Sequence, residues 1–132
     1  MTLFQIVALY IALNMILAPI LMYRVGQVRL GKKINLGDGG DELMLSRIRA
    51  HGNFTENAPL ALLGLIALAM LQASPITLHI FGAAFLIGRI LHAMGMAKVF
   101  GQGRLVGTLL TLLTFFGQAL YLLFLIFTSS GA

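Results

Sequence analysis

The chain has 132 residues, a net charge of +5 and a mean hydropathy of +0.96, with 59% apolar and only 10% charged side chains. That balance lies outside the range of soluble globular domains and within that of integral membrane proteins. With no cysteine, the chain has neither a disulfide nor a thiolate nucleophile of its own.

A helix needs about 20 predominantly apolar residues to cross the hydrocarbon core, and four such stretches follow one another. The first runs from Thr2 to Tyr23. No basic residue precedes Arg24 and the apolar run is full-length, so it reads as a retained helix rather than a cleaved signal peptide. Within it, Asn14 suggests an interhelical hydrogen bond and Pro19 a kink. Arg24 to Glu42 reads as a long polar loop. A second helix is expected from Leu43 to Gln72, closed by a tight turn at Ala73-Ser74-Pro75. The third runs from Thr77 to Ala97, and a short polar loop from Lys98 to Gly103 leads into the fourth, Arg104 to Thr128. Residues 1–132 are thus expected to form one all-α, four-transmembrane-helix bundle with no second domain.

The basic residues set the orientation. Arg24, Arg29, Lys32, Lys33, Arg47, Arg49, Lys98 and Arg104 lie in or beside two loops on one side of the bundle, and the other side has no Lys or Arg. Loops 24–42 and 98–103 are therefore expected to be cytoplasmic, with both termini opposite. Anionic headgroups and topology account for most of this charge, and without aromatic interleaving or a nucleic-acid motif no nucleic-acid partner is expected. No metal site is expected either; the loop Gly37 to Glu42, "GDGGDE", lacks the spacing of a calcium loop.

The second helix opens with "RIRAHGNFTEN", residues 47 to 57. At about 100° per residue, Arg49, Asn53 and Glu56 project from one narrow stripe, and the rise from Arg49 to Glu56 is about 10 Å. A charge at that depth costs about 2.5 to 3.5 kcal/mol on insertion scales, so Glu56 is expected to face protein or a wet cavity. In the third helix, Arg89 is too deep for easy snorkelling, with His92 one turn nearer the cytoplasm; a Glu56 to Arg89 ion pair is expected. Arg104, Thr108, Thr111, Phe115 and Gln118 share a face of the fourth helix, mildly polar and suited to an inward or subunit-facing position. Two readings of the arginines are open on the residues alone: topology markers with internal ion pairs, or a site for an anionic, hydrogen-bonding ligand.

The run Arg49, Ala50, His51, Gly52, Asn53, Phe54, Thr55, Glu56, followed by Pro59, resembles the R-x-H-x-N-x-x-E motif of the membrane-associated proteins in eicosanoid and glutathione metabolism (MAPEG). "GQVRLGKK" at 26 to 33 and "GRILH" at 88 to 92 resemble the first and third helices of that family, and "GDGGDE" its small bacterial members. The resemblance implies a homotrimer in a bacterial cytoplasmic membrane, with glutathione sites at subunit interfaces near the cytoplasmic side. It implies that Arg29, Arg49, His51, Asn53, Glu56, Arg89 and His92 form or border that site and that Arg104 activates the thiol. The expected activity is a glutathione-dependent transferase or peroxidase acting on lipophilic electrophiles or lipid hydroperoxides, with lipids and the chain itself as partners. Several enzymes of the family have tyrosine where this chain has Met96 and Thr108, and some relatives have arginine at the position of Ser46. Since the family includes a non-enzymatic member, the alternative is a non-catalytic lipid- or glutathione-binding protein.

Overall fold

The computed structural model describes residues 1–129, and these form α1 (Leu3–Lys32), α2 (Glu42–Met70), α3 (Pro75–Met96) and α4 (Gly103–Ser129). All four helices are long and apolar enough to cross a membrane. The C-terminus, read above as lying on the far side with the N-terminus, is outside the described residues.

A capping box starts α1: Thr2 Oγ1 accepts from the Gln5 amide and Gln5 Oε1 from the Thr2 amide. The expected end at Tyr23 is corrected, because the helix continues to Lys32. Hydropathy marks where the membrane ends, whereas a helix stops only where its backbone is broken. Nothing between Arg24 and Lys32 breaks it, and Arg29 and Lys32 occupy the last turn, where cations complement the helix dipole. Lys33 then terminates α1 at φ 56°, returning its amide to the carbonyls of Arg29 and Leu30.

The remaining loop is short and held at both ends. Arg29 donates to the Ile34 and Gly37 carbonyls at 3.1 and 3.2 Å, and Lys32 pairs with Asp41. Asp41 also caps α2 by accepting from the Met44 amide at 2.8 Å. The Lys32 hydrogen bond, followed by the Met44 amide, holds the Asp41 carboxyl below its ordinary range. The expected turn after α2 forms as Ser74 caps α3 and Pro75 takes the first helical position, where its missing N–H goes unnoticed.

The helices meet at small residues. A Cβ on Gly107 would lie 2.4 Å from the Gly88 carbonyl oxygen, so α3 and α4 touch backbone to backbone. Gly64, Gly82 and Gly117 likewise make room for Gln118, Tyr10 and Phe81. One apolar cluster gathers Ile6, Tyr10, Leu65, Leu68 and Leu78. A second, nearer the 33–41 loop, gathers Leu21, Phe54, Ala58, Phe85 and Ala93.

Buried polar groups join helices at a few points. Gln118 Nε2 donates to the Ala61 carbonyl at 3.1 Å, and the Tyr10 hydroxyl bonds His79 through both Nδ1 and the backbone carbonyl at 3.0 and 3.2 Å. The expected α4 stripe divides: Thr111 and Gln118 are buried, while Arg104 and Thr108 are exposed. Asn14 corrects expectation, because its Nδ2 donates to Tyr10 O one turn back in α1 at 2.8 Å rather than to another helix.

Candidate functional site

The site lies where α2 begins, α3 ends and α4 begins. The 97–102 connection turns α4 sharply back on α3, and this turn needs two glycines. A Cβ on Gly95 would lie 2.1 Å from the Arg104 amide nitrogen, and one on Gly103 would lie 2.3 Å from the Leu91 carbonyl oxygen. Both are below any real contact distance, so these glycines fix where Arg104 leaves the backbone. Neither was singled out in the sequence, although "GMAKVFGQGR" carries the small-residue density of a close helix turn.

A cleft of about 430 Å³ opens there, lined by Glu42, Leu45, Ser46, Arg49, Asn53, His92, Met96 and Arg104. It adjoins a cleft of about 620 Å³ beside the 33–41 loop that shares Glu42, Ser46, Met96 and Arg104 and adds Lys32 and Lys98. Both volumes fall within the range of small-molecule sites. Ser46 Oγ donates to the Met96 carbonyl and pins α2 to the end of α3. Glu42 is a lining residue the sequence reading passed over. It lies seven residues before Arg49 and thus on the same stripe, a signal that was present in the spacing.

The expected residues separate into three groups. Arg49, Asn53, His92 and Arg104 meet in the cleft. Glu56 and Arg89 border it, but not as a pair: Glu56 Oε1 lies 3.7 Å from Arg49 Nη1. Arg89 instead donates from Nη2 to Asn53 Oδ1 and from Nη1 to Thr111 Oγ1, both at 2.8 Å. The correction follows from helical geometry, since Asn53 sits about 60° round α2 from Glu56. Asn53 is turned toward α3 and α4, whereas Glu56 lies on an exposed edge with its side chain 57% accessible.

The third group is not brought to the cleft. Arg29 is spent on the carbonyls of its own loop. His51, about 200° round the helix from Arg49, is absent from the cleft lining. The spacing that placed Arg49, Asn53 and Glu56 together already put His51 on the opposite face.

The electrostatics favour an anion. Arg104 extends from the first turn of α4, beside the partial positive charge of the helix N-terminus. It has no acceptor among the described residues, and Arg49 has only the long contact to Glu56. Because a guanidinium can only donate, Arg89 must face the oxygen of Asn53, and the Asn53 amide nitrogen is left to donate toward the cleft. His92 is 5% exposed, and its Nδ1 has no hydrogen-bond partner among the described residues. The arrangement offers arginines for carboxylates, a carboxylate for an ammonium and an amide donor between them.

Thr108 donates to the Arg104 carbonyl in its own helix at 2.8 Å. Met96 contributes an apolar wall to the cleft.

Comparison with known proteins bears on most of the chain. The profile of the MAPEG family matches residues 7–124. The inner membrane protein YecN of Escherichia coli, in strains K12 and CFT073, is 34% identical over 88 residues, covering 67% of this chain and 67% of YecN. No solved structure matches the chain.

Proposed function

The chain belongs to the MAPEG family, and from that membership we propose that it is a glutathione-dependent transferase or peroxidase of a bacterial cytoplasmic membrane. The observation that carries this reading is the convergence of Arg49, Asn53, His92 and Arg104 on one cleft at one end of the bundle.

Glutathione has two carboxylates, an ammonium, two amides and a thiol. Arg49 suits a carboxylate, Glu56 the ammonium, and the free Asn53 amide nitrogen a peptide carbonyl. Arg89, buried behind Asn53, acts as a positioning residue that holds this amide in one orientation. Arg104 is left for the sulfur. A free thiol has a pKa of about 8.5, so only a few per cent is thiolate at neutral pH. Lowering it by about two units requires about 2.7 kcal/mol, within reach of a charge-assisted hydrogen bond at a helix N-terminus.

Conjugation then needs only the thiolate to form a bond with an electrophilic carbon as the leaving group departs with its electron pair. With a hydroperoxide, one thiolate takes the terminal oxygen and releases the alcohol. A second glutathione reduces the sulfenic product to water and glutathione disulfide. Both substrate types dissolve in the bilayer, which would deliver them beside the cleft.

A homotrimer goes with this reading. The Glu56 side chain is 57% exposed in the single chain at a depth where charges do not face lipid. A neighbouring copy would cover it. The end of the bundle that carries loops 33–41 and 97–102, around which the basic residues gather, is assigned to the cytoplasm.

A non-catalytic binding role is the second reading, favoured by Met96 and by a Thr108 hydroxyl committed to its own helix. Turnover of chlorodinitrobenzene with glutathione by the purified protein separates them: conjugate formation above the buffer rate supports the enzyme, and glutathione binding without turnover supports the binder.

A further inference from the structure

A second cationic site lies on the opposite face of α2 from the cleft. The helices α1 and α2 run antiparallel with a register visible at two points. Lys32 pairs with Asp41 beyond the membrane, and Asn14 and Ala58 line one groove deeper in the bundle. In each pair the residue numbers sum to 72 or 73, so Arg24 is level with Ile48, one residue from Arg47. Both arginines are half-buried, and Arg47 feels the positive field of Arg24.

The other arginines of α1, α2 and α3 are all engaged: Arg29 by loop carbonyls, Arg49 by Glu56, Arg89 by Asn53 and Thr111. Arg24 and Arg47 have no acceptor among the described residues. Nor is a carboxylate to spare. Of the four acidic residues, Asp41 is held by Lys32, Glu56 by Arg49, Asp38 accepts from the Gly40 amide, and Glu42 lines the cleft. Two like charges held together without a counter-ion are unfavourable, and the pair is poised to share an anion.

We propose that Arg24 and Arg47 together bind a phosphate group. Two guanidinium forks can share its oxygens, the geometry in which arginine surpasses lysine. The pair is about two turns from the end of α1, at the level where phospholipid headgroups meet the hydrocarbon. One turn deeper, Ile20 is 50% exposed, so a lipid held here would lay its chains on apolar surface, and His51, one turn below Arg47, adds a further donor.

A phospholipid headgroup and a soluble phosphate share this chemistry, and one experiment separates them. Fluorescent phosphatidylglycerol is titrated into the detergent-purified protein, with inorganic phosphate as competitor, for wild type, an Arg24→Gln/Arg47→Gln double variant and Lys33→Gln. Binding that weakens about tenfold or more in the double variant, is unchanged in Lys33→Gln and resists inorganic phosphate establishes a lipid site. Full displacement by inorganic phosphate assigns the site to a soluble anion. Equal lipid binding in wild type and double variant, or no binding of either probe, overturns the proposal. If the double variant loses its helical signal, Arg24→Lys/Arg47→Lys is measured instead. It retains charge but not the forks, and is expected to bind several-fold more weakly; wild-type affinity there would equally overturn the clasp.

Discussion

Arg89 and Asn53 are joined by a 2.8 Å hydrogen bond between α3 and α2, and the second guanidinium nitrogen of Arg89 reaches Thr111 on α4. A cation that is 2% exposed thus ties three helices directly behind the cleft without a carboxylate. Removing one acceptor leaves that charge under-solvated. Asn53→Ala is therefore expected to destabilise the unliganded protein by about 1.5 to 3 kcal/mol, the scale of a hydrogen bond to a charged group. Glu56→Gln, which breaks only an exposed contact, should cost no more than about 1 kcal/mol. Reversible unfolding in mixed micelles measures both, and equal costs would return Glu56 to Arg89 as its partner.

Glu56 has a different task if it meets the ammonium of glutathione. Glu56→Gln then weakens glutathione binding about tenfold, the loss of one charge-assisted contact. Calorimetric titration reads this, and unchanged affinity would leave the carboxylate as no more than a companion to Arg49.

The position of Arg104 depends on the close turn before it. Gly103→Val places carbon where the Leu91 carbonyl already is, and overpacking of this kind costs about 1 to 3 kcal/mol. The variant should also lose glutathione conjugation, since Arg104 is displaced. Gly101→Ala, where nothing lies within 4 Å, should change neither thermal midpoint nor turnover. Loss of activity in both variants would mean that the loop, rather than the contact, matters.

The Lys32 to Asp41 clasp has a defined pH window. The folded carboxyl is held below its ordinary range, so its contribution is complete above the unfolded pKa of about 3.9 and is lost as pH falls through the folded value. Asp41→Asn keeps the cap and removes the charge. Its thermal midpoint should fall below that of wild type at neutral pH and converge with it in acid. A constant difference down to the most acid conditions would contradict the clasp.

Hydropathy alone located all four spans, because membrane thickness imposes a length that composition can reveal. The same signal misplaced the end of α1, which continues as a helix into water through residues with no reason to break it. Periodicity grouped Arg49, Asn53 and Glu56 correctly within one helix, yet it carries no information about the angle between helices. The Arg89 partner was therefore misassigned by one position on the stripe, to Glu56 instead of Asn53. Asn14 was misread for a related reason: a short amide in a membrane helix can satisfy itself one turn back as readily as across an interface. Gly95 and Gly103 became legible only in three dimensions, since a glycine in sequence does not say which backbone it admits.

Whether this cleft ionises glutathione is decided most directly by the thiolate absorbance near the ultraviolet edge when glutathione is added to the detergent-purified protein, in wild type and Arg104→Ala. A signal at neutral pH in wild type that disappears in Arg104→Ala, with the assembly intact by size, is what the proposed chemistry requires. A signal that persists undiminished in Arg104→Ala would remove Arg104 from the mechanism, and its absence from wild type despite measurable glutathione binding would leave a binding protein in place of an enzyme.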